Sequence, residues 1–270
     1  DLFWILIMGW GVTGAAVATV FSQGVSAVLC YFYMYRKFDI LKTEPSDRRF
    51  RPELARQLMY IGVPMGLQFS ITAIGSIMLQ SANNALGTAC VAAFTAAMRI
   101  KMFVMCALDS LGMAMATYSG QNYGAGKPGR IWQGIKSASL MMIIYVAVVA
   151  ALIWGFADKF ALLFISADET EIIADTALFL HFNVSFFPLL GMLSILRYSI
   201  QGAGYTKLAM FSGVSEMIAR VLVSVIIVPL WGFVGVCVGD PTAWLFANFF
   251  LIPAFIYVYR RLHVIVAKER

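Results

Sequence analysis

Apolar residues along this chain neither alternate, as in a half-buried strand, nor keep to one helical stripe; they fill whole stretches, and polar residues collect in short gaps between them. Stretches of about 20 apolar residues, at 1.5 Å rise each, match the hydrocarbon thickness of a bilayer. Seven such spans are predicted: Gly14–Tyr35, Leu58–Leu79, Ala89–Ser119, Ile131–Phe156, Ile172–Ile200, Leu208–Trp231 and Gly235–Tyr259. Ahead of them Leu2–Trp10 makes only about half a span, with no basic leader or cleavage site, and reads as the end of a helix whose beginning belongs to a longer protein. The predicted fold class is therefore all-α, a polytopic transmembrane helical bundle.

One polar connection stands out. Arg36–Gln57 carries Pro45, Pro52 and mixed charge, and its second half suits a surface helix. It divides the chain into 1–35, a 36–57 linker and 58–270. A faint echo supports two lobes: Gly11-Val-Thr-Gly14 leading to Tyr35-Arg36-Lys37 resembles Gly232-Phe-Val-Gly235 leading to Tyr259-Arg260-Arg261. Internal repeats of that kind are a common plan of secondary transporters.

Composition agrees with lipid as the main solvent. The 270 residues are 61% hydrophobic and 13% charged, where soluble domains run near 50% and 25%. The net charge of +6 does not signal nucleic acid, because its lysines and arginines cluster between spans and line no amphipathic face. Their placement instead sets sidedness. The segment Arg36–Arg56 holds seven basic residues; Lys127, Arg130 and Lys136, then Lys207, then Arg260, Arg261, Lys268 and Arg270 follow in alternate gaps. The other gaps are poor in them: Ala82–Thr88 has none, and Asp158–Asp175 has Lys159 against five acids. A cytoplasmic C-terminus in a multi-pass protein of the plasma membrane, the inner membrane of a bacterium, is the expectation. Cys30, Cys90, Cys106 and Cys237 lie far apart in apolar segments, read as packing residues, and suggest no metal site.

Candidate chemistry rests on charges at membrane depth, each unfavourable unless paired or hydrated. Arg99, Lys101, Asp109, Glu216 and Arg220 fall inside predicted spans. Glu216 and Arg220 stand four apart on one helical face, as a permanent ion pair or as a proton-responsive one. Asp109 has Met105, Cys106, Gly112 and Met113 at three and four positions, so it needs Arg99, Lys101, another helix or water. Met98, Met102, Met105 and Asp109 form one stripe, either plain packing or the lining of a site for bulky cations. Gln68, His181 and Asn183 are further polar candidates for a cleft. Asp240-Pro241 reads as a helix start near an interface, not a site. Gly120–Pro128 is glycine-rich, but it follows an apolar helix and has Pro128 where a phosphate loop needs Ser or Thr, so it reads as a turn. No nucleophile–base pair or cofactor motif marks an enzyme.

Several motifs resemble those of the multidrug and toxic compound extrusion (MATE) family. They are Gly62-Val-Pro-Met-Gly-Leu-Gln68, Ala97-Met-Arg99-Ile100, the run Leu111–Lys127, Gln201-Gly-Ala-Gly-Tyr-Thr-Lys207 and Gly14–Gln23, in the family's order over essentially the whole chain. The resemblance implies the last one to two helices of an N-lobe and a six-helix C-lobe, spans seven to twelve, with the remaining N-lobe helices as partner. It implies an antiporter that exports organic cations, drugs or toxic metabolites in exchange for H⁺ or Na⁺, with small-molecule cationic substrates, membrane lipids around it and no other cofactor. Asp109, Glu216 and Arg220 are the candidates for coupling or gating, and Gln68, Met105 and Arg99 for the substrate cleft. Many members carry a carboxylate in span seven or ten, whereas Leu58–Leu79 has none and the fifth full span only Asp175. The alternatives are a lipid-linked sugar flippase of the same superfamily, for which Arg99, Lys101 and Arg197 speak, and a non-transporting membrane remnant.

Overall fold

A computed structural model describes residues 3–39 and 50–268. Residues 40–49 of the predicted linker, Pro45 among them, and Arg270 lie outside the described residues. Every regular element described is helical: α1 Gly11–Lys37, α2 Pro52–Asn84, α3 Thr88–Gly124, α4 Pro128–Ala161, α5 Thr170–Ser185, α6 Phe187–Gly202, α7 Thr206–Leu222, α8 Val228–Trp231, α9 Phe233–Cys237 and α10 Gly239–Lys268. Six helical stretches are long and apolar enough to cross a membrane, and the bent pair α5 and α6 makes a seventh. All seven predicted spans are thus present.

Prolines mark how the helices start and break. Pro52 and Pro128 open α2 and α4, where a missing N–H has no intrahelical partner to lose. Residues 52–57 are the first turns of α2 and not a separate surface helix, which corrects the expectation for the linker's second half. Pro188 stands near the start of α6 and cannot donate backward, and the chain bends by 50° around Phe186 between α5 and α6. Pro229 acts differently. The turn before it, Val223–Ile227, is wound as a π-helix, with one residue more than an α turn holds, and the strand of helix from Thr206 to Trp231 continues through it.

The chain forms two compact units, one up to Arg56 and one from Gln57 onward. In the first, a short π-helical turn Phe3–Ile7 sets the Trp4 and Trp10 rings 5.2 Å apart, and α1 buries only Gly14 and Ala18. Its apolar surface is otherwise open, as suits a helix bathed in lipid or covered by other helices.

In the second unit α6 is the hub, touching α3, α4, α5, α7 and α10. Its buried residues lie on every side, which is why Phe187–Gln201 shows no single apolar stripe. Small residues allow the approach: the Cβ position of Gly202 lies 2.1 Å from the Ala116 carbonyl oxygen, that of Gly191 2.3 Å from Met142, and that of Gly75 3.0 Å from the Met217 Cα. Phe94 on α3 meets Phe179 on α5 edge to face, 5.3 Å between centroids. Of the cysteines, Cys237 is buried in packing, whereas Cys30 and Cys106 are exposed on the outer faces of their helices.

The Gly202 contact generates a stability test. A methyl group there meets backbone, which cannot rotate away, so Gly202→Ala is expected to lower stability by about 1–3 kcal/mol. Gly129→Ala, which meets nothing within 4 Å, is expected to change little. Thermal midpoints of the two variants in detergent compare them directly, and equal midpoints would contradict the packing described.

Candidate functional site

The site begins with α7 and the π-helical turn that follows it, where Ser212, Glu216, Arg220 and Ser224 recur every fourth residue and are all buried. That stripe turns toward α6 on one side and α10 on the other. Arg197 of α6 reaches Glu216, and its Nε donates to the Ser212 hydroxyl at 3.0 Å. Glu216 also meets Arg220 one turn on, Nη1 to Oε2 at 3.5 Å. The Nε of Arg220 donates to Asp240 Oδ1 of α10 at 3.0 Å. Asp240 in turn pairs with Lys101 of α3, whose ammonium also stands 5.2 Å from the Phe179 ring centre. The result is one chain of alternating sign, Lys101, Asp240, Arg220, Glu216, Arg197, that joins α3, α10, α7 and α6.

Alternation explains why five charges are tolerated in so apolar a place. Each carboxylate lies between two bases, so neither is left alone in a medium of low dielectric. Three bases against two carboxylates leave one formal positive charge. The compensating group is Asp109, which lines the same cavity as Arg197 and forms no hydrogen bond or ion pair among the described residues.

That cavity, about 520 Å³, opens between α2, α3, α6, α7 and α10. The size falls within the range of sites for drug-sized molecules. One wall is charged: Lys101, Arg197, Glu216, Arg220 and Asp240. The rest of the lining is soft, with Met98, Met102, Met105 and Met113 from α3 and Phe69 from α2. The stripe Met98, Met102, Met105, Asp109 therefore faces this space as one strip. Gln68 lines it too, and its side-chain oxygen accepts from Gln201 Nε2 at 2.6 Å, tying α2 to α6.

Of the sequence candidates, Asp109, Glu216, Arg220, Gln68 and Met105 come together at this cavity, and Arg99 does not. Arg99 faces a different recess, between α3 and α4, because successive helical residues are turned by about 100° and Met98 and Lys101 take the inward positions. Two expectations are corrected. Lys101 does not answer Asp109 but pairs with Asp240. Asp240 does begin a helix, as expected, yet it is 7% exposed and sits within the charge chain, between Lys101 and Arg220, instead of lying outside any site. Sequence reasoning passed over Asp240 and gave Arg197 no place in the coupling set. A tally of charges was the available signal: every ionisable residue within a span needs a partner, and Glu216 alone cannot satisfy Lys101, Arg197 and Arg220.

Comparisons with known proteins agree with this architecture. The MatE family model matches residues 62–226. The probable multidrug resistance protein YpnP of Bacillus subtilis (strain 168) is 25% identical over 200 residues, 74% of this chain and 44% of that protein. A second protein of the same strain, the probable multidrug resistance protein YoeA, is 26% identical over 255 residues, 89% of this chain and 54% of its own length. The chain thus spans about half the length of these relatives. A solved structure described as the outward-facing conformation of a multidrug resistance MATE family transporter of the MOP superfamily superposes with a TM-score of 0.86 at 23% identity, over 99% of this chain and 60% of that one.

The charge chain predicts an order of sensitivity. Arg220 alone serves two carboxylates, so Arg220→Met takes one partner from each, leaving Glu216 with Arg197 and Asp240 with Lys101, and is expected to destabilise by about 1.5–3 kcal/mol, the worth of a charge-assisted hydrogen bond. Lys101→Met strands only one link of Asp240, which keeps Arg220, and is expected to be milder. Thermal unfolding followed by tryptophan fluorescence orders the two; the reverse order would contradict the arrangement.

Proposed function

The chain belongs to the MatE family, whose members are transporters and not enzymes, and on that premise we propose that it serves in a secondary active antiporter that exports organic cations in exchange for H⁺ or Na⁺. The observation that carries this reading is the carboxylate of Asp109, without a hydrogen bond or ion pair among the described residues, in a methionine-lined cavity that it shares with a buried charge chain.

Each part of the cavity suits a step of that cycle. Methionine side chains are flexible and polarizable, so four of them lining one space accommodate apolar bodies of differing shape. Asp109 supplies the charge complement to a cationic group. Only one cation neutralises one carboxylate at a time, so an organic cation and a coupling H⁺ or Na⁺ compete for it, and competition for a single site is what exchange requires. When Asp109 is occupied, it no longer offsets the surplus positive charge of the chain Lys101 to Arg197. The relative energies of two arrangements of α3, α6, α7 and α10 then depend on occupancy, which is how a ligand shifts a conformational equilibrium. In alternating access the two lobes rock about such a site.

The basic gaps support an orientation. Lys127, Arg130, Lys136, Lys207, Arg260 and Arg261 lie at one end of the second unit. By the bias that keeps lysine and arginine on the cytoplasmic side, that end and the C-terminus face the cytoplasm of a plasma membrane.

Asp109→Asn in the protein, expressed in cells and supplied with a fluorescent organic cation, tests the mechanism. Asp109 is exposed on the cavity and holds no structural partner, so the variant is expected to fold normally and to lose at least about tenfold in gradient-driven efflux, the worth of one charge-assisted contact. Efflux unchanged in Asp109→Asn would remove the residue from the cycle and with it the competition for one carboxylate.

A further inference from the structure

On the side of α3 turned away from the charged cavity, an apolar groove of about 570 Å³ runs between α3 and α4. Ile100 and Val104, roughly opposite Met98 and Met102 around the helix, form its floor with Val149. Phe103 and Leu152 are its exposed rims. One end is closed by Tyr145, whose hydroxyl donates to the Val104 carbonyl at 2.7 Å. From Tyr145 to Ile153 helix α4 rises about 12 Å, close to the roughly 15 Å of hydrocarbon in one leaflet.

At the other end stands Arg99. It lines the groove and also an adjoining recess of about 380 Å³, shared with Thr95 and Glu169 under the turn that joins α4 to α5. Arg99 is exposed and makes no hydrogen bond or ion pair among the described residues, Glu169 included. A guanidinium within a span is unfavourable without a counter-charge, and its planar fork of N–H donors fits phosphate oxygens. A cationic substrate would be repelled here, and the open side of the groove is bordered by exposed apolar residues of the kind that lipid covers.

The geometry points to a binding site for an anionic phospholipid, its phosphodiester held by Arg99 and one acyl chain laid in the groove between α3 and α4. The charge at the turn and the apolar channel leading down from it match the two ends of one molecule, in the order a leaflet presents them. The site is separate from the transport cavity and does not depend on what that cavity carries. Glu169 shares the recess and opposes a bound phosphate, so its charge limits how firmly the lipid is held.

Native mass spectrometry of the protein in mild detergent, with added phosphatidylglycerol or phosphatidylcholine of equal chain length, tests the site. The wild type is expected to retain phosphatidylglycerol in preference. Arg99→Gln is expected to retain about tenfold less of it, down to the phosphatidylcholine level, the worth of a lost charge-assisted hydrogen bond. Leu152→Trp, which fills the groove without altering charge, is expected to reduce both lipids, and Glu169→Gln to raise phosphatidylglycerol. Equal retention of the two lipids by the wild type, or unaltered phosphatidylglycerol in Arg99→Gln, would overturn the proposal. Displacement of the lipid by millimolar inorganic phosphate would assign Arg99 to a soluble anion and overturn it as well.

Discussion

Charge in a membrane interior has to be answered by charge, and the second unit of this protein is arranged around that requirement. Lys101, Arg197, Glu216, Arg220 and Asp240 come from four helices that, among the described residues, meet nowhere else through side chains of opposite charge. Moving any one of α3, α6, α7 or α10 by a full turn would separate a base from its carboxylate. Apolar packing alone would not set that register, because lipid tails are as apolar as leucine and give helices little reason to prefer one neighbour's depth over another. The ion pairs therefore act as depth marks, and the glycines at the α3–α6 and α2–α7 contacts bring the helices close enough to read them.

The same chain of charges joins structure to the transport proposed for it. Bases outnumber carboxylates within it, and the sixth charge, Asp109, stands on the cavity wall and not inside the chain. A balance completed from the wall is open to whatever enters the cavity. A fully internal balance would have been stable and inert.

Much of the fold was legible from hydropathy, since apolar blocks of bilayer length need no partner to be recognised, and each predicted span lies within an observed helical stretch, although the helices run on past it, α2 starting at Pro52 ahead of Leu58 and α10 reaching Lys268 beyond Tyr259. The interruptions were harder to see. Pro188 and Pro229 are equally visible in the sequence, yet one bends the chain between two helices and the other sits after a π-helical turn within a continuous span. Neighbouring helices decide between those outcomes, and a single sequence does not show them. Glu216 and Arg220 were readable as a pair because four residues separate them. Asp240 was not, because its partners Arg220 and Lys101 are 20 and 139 positions away. Arg99 was misplaced for a related reason: depth along a helix follows from residue number, but the direction a side chain takes around it depends on which face the other helices occupy.

The π-helical turn at Val223–Ile227 has a consequence for how the last third of the chain tolerates change. An additional residue in one turn rotates everything beyond it by about 100° relative to unbroken α winding. Ser224 within the turn closes the polar stripe, and Val228, four positions on, keeps to the same inward face and is packed by Gly235. A polar seam thus passes into an apolar one along a single face of the helix. Loss of one residue anywhere from Val223 to Ile227 would turn Val228 away from that face and off its neighbours, whereas the same loss in the last turns of the helix would be absorbed where it occurred.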